Sequence, residues 1–204
     1  MAISNAEIAS LLALTGRGKV PLTGGPAGSL KSCIAETMPF EHASANVTLS
    51  SGVMTLAPIY ISQNQTITSI NFVSNSTAES GGSHLWFALY DDGRGSATAS
   101  QLYLLAQTQD QTGAAAFAAN TNLGLALNIP YITTYTGIYY IAIMCVGTTP
   151  TITGQTRAST ASIQIGASGG ALMGSTAGSG LTSQAPSPSG TITSSVNTLY
   201  AYVS

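Results

Sequence analysis

Seven acids and two histidines are the entire stock from which a hydrolytic site could be drawn: Glu7, Glu36, Glu41, Glu79, Asp91, Asp92 and Asp110, with His42 and His84. General acid–base work needs two such groups held in one cleft. A glycosidase pair taken from Glu41, Glu79, Asp91, Asp92 and Asp110 is arithmetically possible, but no local motif supports one. Glu41-His42 lacks the second histidine four residues on that a helical zinc protease requires. Two histidines and two distant cysteines, Cys33 and Cys145, match no zinc spacing. The nearest approach to a serine-nucleophile turn, Gly166-Ala167-Ser168-Gly169-Gly170, lies in a low-complexity tract with no histidine after it. Asp91-Asp92-Gly93-Arg94-Gly95 alternates too few oxygens for a Ca²⁺ loop and reads as a tight turn. The expectation is a protein that is not an enzyme, with no catalytic residue, metal or cofactor. The cysteines read as free thiols, with Cys145 a small core residue.

The aromatic residues offer a different chemistry. Trp86, Phe87 and Tyr90 fall on one predicted strand, where alternation places Trp86 and Tyr90 on one face and Phe87 on the other. Tyr131, Tyr135, Tyr139, Tyr140, Tyr200 and Tyr202 add a tyrosine-rich set. Sugars stack on aromatic faces flanked by polar groups, so Trp86 and Tyr90 are candidate glycan contacts. Core packing or a subunit interface is the competing reading.

Charge narrows the partners further. Only 6% of the 204 residues are charged, five basic and seven acidic, for a net charge of −2; an ordinary domain carries about 25%. Five cations cannot neutralise a run of phosphates, so nucleic acid is not expected as a partner, nor is an anionic membrane surface. Mean hydropathy is +0.28, yet the longest apolar runs, 138–146 and 123–127, fall short of the roughly 20 residues a spanning helix needs. About a quarter of the chain is Ser or Thr. No basic segment and apolar core of a secretion signal opens the sequence, and folding in a reducing cytoplasm is expected.

Three kinds of segment must position these residues. Residues 1–15 predict a short helix: Ser4 caps it, Glu7 completes a capping box, and Ile3 pairs with Ile8 as a hydrophobic staple. Ile8, Leu11 and Leu12 share a face at helical spacing, and Gly16 ends it. So short a helix is marginal alone and must dock on something. Residues 16–36 have the Gly/Pro/Ser composition of a linker and hold three of the five cations, Arg17, Lys19 and Lys31. Ile3, Ile8, Leu11, Leu12, Arg17 and Lys19 are the candidate anchoring residues. Residues 37–204 predict antiparallel strands at 52–61, 66–73, 84–90, 102–107, 122–128, 131–135, 137–146 and 198–203, separated by Gly, Asn and Pro. In the strand over 66–73, Ile67 falls on one side with Asn71 and Val73, and Ile70 and Phe72 on the other. Residues 154–195, dominated by Gly, Ser, Ala and Thr, predict long loops crossing a face or an apex. The expected fold is an all-β antiparallel sandwich, jelly-roll-like, behind a short N-terminal helix and linker.

The strand sequences over 49–61, 65–73 and 84–91, with Ala118-Ala-Asn-Thr (118–121) and the run over 131–144, resemble a domain of minor tail and other virion surface proteins of bacteriophages that infect actinobacteria. The similarity spans about residues 37–165. It implies a non-enzymatic β-domain on a tail, fibre or capsid surface, often trimeric, and carries no catalytic residue with it. The expected partners are further copies of the chain in a homotrimer, other virion proteins of capsid or tail, and a host cell-wall glycan. The expected location is the virion surface after synthesis in the host cytoplasm. The alternative is a carbohydrate-binding receptor-recognition module of the tail tip. The capped helix and linker, outside that similarity, look like an anchoring module.

Overall fold

Runs of β-branched and aromatic residues between glycine and proline stops make thirteen strands in the computed structural model, which describes residues 33–93, 101–112, 117–157 and 174–204. In chain order they are β1 (Ala35–Glu36), β2 (Ala45–Thr48), β3 (Met54–Ile61), β4 (Thr66–Val73), β5 (Ser80–Asp91), β6 (Tyr103–Gln107) and β7 (Asn122–Ile132). β8 (Gly137–Thr148), β9 (Thr151–Thr156), β10 (Ser175–Ala177), β11 (Ile192–Ser194), β12 (Asn197–Leu199) and β13 (Ala201–Val203) follow. The fold is an antiparallel β-sandwich. One layer is a six-stranded sheet in the order β11-β10-β3-β8-β5-β6. The other joins a four-stranded sheet, β1-β13-β4-β7, to a three-stranded sheet, β12-β9-β2. The C-terminal chain belongs to both: Tyr200 alone separates β12 from β13, and its N–H donates to the Thr153 carbonyl at 2.8 Å.

The main core lies between the layers. Leu85, Phe87 and Leu89 of β5 and Tyr139, Ile141, Ile143 and Cys145 of β8 face Ile70 and Phe72 of β4 and Ala201 and Val203 of β13. The Phe72 and Phe87 rings meet across it with centroids 4.8 Å apart.

A second core lies on the outer face of the six-stranded sheet. There Met54, Leu56, Trp86, Ala88, Tyr90, Tyr140, Ala142 and Met144 cluster with Ala177 of β10 and Ile192 of β11, and with Leu181 and Ala185 from the connection between those two strands. Strands buried on both faces show continuous apolar sequence instead of alternation. That accounts for the long apolar run over 138–146. The expected loop region 154–195 thus crosses a face, as its composition suggests, but it also contributes part of β9 and all of β10 and β11.

The structure departs from expectation in several places, and β2 and the first residues of β5 lie where no strand was expected. Cys33 to Glu36 belong to the sandwich, not to a linker: β1 pairs with β13, and Cys33 packs with Tyr200 and Tyr202 on the outer face of the four-stranded sheet. The strands expected at 122–128 and 131–135 are one strand, β7, which ends at Ile132. In β4, Ile67 lies in the main core with Ile70 and Phe72. The register shifts between Ile67 and Ser69, and the N–H groups of Thr68 and Ser69 both donate to the Ser204 carbonyl. An extra residue in a strand reverses the side on which everything beyond it falls. The expected helix over 1–15 lies outside the described residues.

Candidate functional site

Glu79, Asp91 and Asp110, three of the acids that could make a catalytic pair, each accept a backbone N–H. Glu79 and Asp91 flank opposite ends of β5, a strand of 12 residues, and strand rise puts roughly 35 Å between them. A glycosidase pair needs about 5–10 Å. Glu79 is buried at the start of β5, where its Oε2 accepts the Phe117 N–H at 3.2 Å. Burial raises its carboxyl pKa, and the Phe117 hydrogen bond only partly offsets that. Gly82 makes the space: a Cβ there would collide with the Glu79 carboxylate. Asp110 accepts from the Leu85 N–H at 3.1 Å and lies 2.6 Å from His84 Nδ1. Together with the Gln111 N–H on the Leu85 carbonyl, this pair ties the chain after β6 along β5. Glu36 accepts from the Tyr200 hydroxyl at 3.1 Å. Glu41 is exposed beside His42 in a single 3₁₀ turn, Phe40–His42. Asp91 Oδ1 accepts the Gly93 N–H at 2.9 Å, with Gly93 at φ +60°; Arg94 and Gly95 of the expected turn lie outside the described residues. No group of three or more potential metal ligands occurs among the described residues.

The two thiols are free and buried. Burial, reinforced by Glu79, pushes the Cys145 pKa to about 12. Burial and the charge of Glu36 push Cys33 to about 11. Both are held as thiols at neutral pH and are poor nucleophiles.

The glycan expectation for Trp86 and Tyr90 is corrected. Both side chains are 0% exposed. The Trp86 indole N–H donates to the Thr182 carbonyl at 2.7 Å, and the Tyr90 hydroxyl donates to the Pro186 carbonyl at 2.9 Å. Alternation does put them together opposite Phe87. What covers that face is the chain over 174–192, and no ring surface is left for a sugar. Burial also raises the Tyr90 hydroxyl pKa.

Anchoring residues Ile3, Ile8, Leu11, Leu12, Arg17 and Lys19 lie outside the described residues. The described surface does contain large apolar groups that the sequence reading overlooked. Ile129 is 75% exposed, Tyr60 64% and Ile132 58%, with Phe40 half-exposed against Tyr200. Ile129 and Pro130 stand in a stretch of β7 where the pairing jumps from Ala126 to Tyr131 while β4 advances only from Ser69 to Ile67. The Pro130 stop between two expected strands was the available signal, since proline inside a strand marks an edge or a bulge. Near this site, turns 62–65 and 133–136 interlock: the Asn64 N–H donates to the Thr133 carbonyl and the Thr133 N–H to the Gln65 carbonyl. Residues 43–78 and 111–156 contain no charged side chain. Among the described residues, Tyr60, Ile129 and Ile132 are thus exposed apolar side chains in segments without charge. No protein-family model matches the chain, and no curated protein matches it.

Proposed function

We propose that this chain is a structural protein of a bacteriophage particle, attached through the residues before Cys33 and displaying residues 33–204 outward as a homotrimer. Its role is decoration of the capsid or tail, with contact to the host surface. The observation that carries the reading is the division of labour along the chain. The sandwich closes from Cys33 onward with its own cores, while the preceding residues concentrate three of the five cations. The resemblance over about residues 37–165 supports the same role. A surface poor in ions suits it, because Ser and Thr cost far less to desolvate between subunits than charged groups do. Copies then meet by area and shape. The carbohydrate-binding alternative loses the two residues that motivated it, Trp86 and Tyr90.

Deletion of residues 1–30 is the test. The truncated protein is expected to fold, remain a soluble oligomer and fail to join particles. Incorporation at the full-length level would overturn the anchoring role.

A further inference from the structure

The strands that end each sheet differ in what lies beside them. β6 is flanked by the chain over 187–189: the Leu102 N–H donates to Ser189 Oγ at 2.9 Å and the Leu104 N–H to Ser187 Oγ at 3.3 Å. β7 bridges to the end of β6 through Leu127 and Thr108, and its far end is bulged beside Pro130. β12 lies against Gly174, whose N–H donates to Thr198 Oγ1 at 3.1 Å. β1 has two residues and β11 three. Short length, bulges, proline and covering chain are the ordinary protections of a sheet edge. β2, Ala45–Thr48, ends the three-stranded sheet without a proline, a charge or a bulge.

Which backbone groups β2 leaves open follows from β9. The Thr151 N–H donates to the Thr77 carbonyl, and the Thr151 carbonyl accepts from the Asn75 N–H. The Thr153 carbonyl accepts from the Tyr200 N–H. Thr151 and Thr153 therefore turn their backbone groups away from β2. Successive residues of a strand alternate in this respect. Ile152 and Gly154 thus turn theirs toward β2, where the register sets Val47 and Ala45 opposite them. The N–H and C=O groups of Asn46 and Thr48 then point off the edge. Among the described residues those groups make no hydrogen bond. Both residues are exposed, while Val47 between them is buried in the main core.

We propose that this edge pairs with the same edge of a second copy, antiparallel, with Asn46 of each chain opposite Thr48 of the other and the two Val47 residues at the two-fold axis. In that register the Asn46 N–H donates to the Thr48 carbonyl of the second copy and the Asn46 carbonyl accepts from its Thr48 N–H. The same pair recurs across the axis, so the open groups of both edges are satisfied. The side chains are self-complementary too. Asn46 meets Thr48 and Ser44 meets Ser50. Like charges directly opposite would disfavour the pair, and residues 43–78 contain none. Both Val47 side chains stay on the inner face, so the layer runs on from one sandwich into the next. A contact of this size falls well short of the roughly 1,000 Å² of buried surface that a stable complex needs. It is weak between free copies and gains where copies are already held side by side. A two-fold contact does not make a trimer; it joins one trimer to its neighbour, and it stands whether or not the trimer does.

The test uses the full-length protein. Residues paired in this way have Cα atoms about 5.5 Å apart, within disulfide reach. Two Asn46 or two Thr48 residues, displaced along the strands, lie beyond the roughly 7 Å limit. Oxidation of an equal mixture of Asn46→Cys and Thr48→Cys proteins is expected to give at least fivefold more cross-linked dimer than either protein alone. Cys33 and Cys145 are buried and do not compete. In the unmodified protein, amide exchange at Asn46 and Thr48 is expected to be at least threefold slower at about 1 mM than at about 10 µM, with Ala45 and Val47 unchanged. Thr48→Pro removes an outward N–H and leaves the β9 ladder intact. That variant is expected to keep its melting temperature and to lose the concentration dependence at Asn46. Equal cross-linking in the mixture and in the single variants would overturn the proposal. Exchange independent of concentration would overturn it too: slow exchange would assign the edge to another segment of the same chain, and fast exchange would leave it unpaired.

Discussion

Glu79 is a carboxylate placed where water is excluded, and its surroundings decide its effect on stability. Desolvation dominates and raises its pKa in the folded state. For an acid whose folded pKa exceeds its unfolded pKa, the stabilising contribution is full below the unfolded value. It is lost as pH rises through the folded value. The protein should therefore lose stability from this group as pH climbs from about 4 toward neutrality. Glu79→Gln keeps an acceptor for the Phe117 N–H and removes the charge. Its melting temperature is expected to exceed that of the unmodified protein at pH 7.5, with the gap closing at pH 4. A gap independent of pH would show that burial of the charge is not the cause. Asp110 is different: its oxygens meet a backbone N–H and the His84 ring, so its buried oxygens have partners.

At the scale of elements, the central strands depend on a cover that has little secondary structure of its own. β3, β5 and β8 bury both faces, and the outer one is closed by the connection between β10 and β11, through Leu181 and Ala185. Hydrogen bonds from buried aromatics fasten that cover, through the Thr182 and Pro186 carbonyls. The Ser189 N–H to the Leu102 carbonyl and the Ala185 N–H to Gln107 Oε1 fix its edge. Replacing residues 181–186 by Gly-Ser repeats should uncover Trp86, the single tryptophan. Its emission is expected to shift to longer wavelength in the folded protein, with stability reduced by about 3 kcal/mol or more, as for truncation of a large core residue. Unchanged emission would mean that the cover does not seal that face.

For the whole molecule, scarcity of charge means that cohesion rests on apolar packing and neutral hydrogen bonds. His84 Nδ1 and Asp110 Oδ2 meet at 2.6 Å, an ion pair only in the protonated form of the imidazole. Screening by salt acts on exposed charges over roughly 10 Å at 0.1 M, and here it has almost nothing to act on. Raising NaCl from 0.05 to 0.5 M should shift the melting temperature by less than about 2 °C and leave the mass in solution unchanged. Sulfate, which strengthens apolar burial, should raise the melting temperature. A clear loss of stability in NaCl would point to ionic contacts among residues outside those described.

Local pattern was enough to place most strands, because alternation and turn residues act over a few positions. The span 66–73 is legible directly, and the alternation of Leu199, Ala201 and Val203 with Tyr200 and Tyr202 separates the two faces that the structure shows. Tertiary structure decided what distant segments do to one another. Trp86 and Tyr90 read equally well as a sugar platform or as core. Only the return of residues 174–192 across their face, nearly a hundred positions later, settles it, and no local pattern encodes that contact. The side on which Ile67 falls depends on Thr68 and Ser69 sharing the Ser204 carbonyl, a partner 135 or more residues away. Sequence fixes the period of each strand; the phase of that period, and which face meets water, is set by what packs against it.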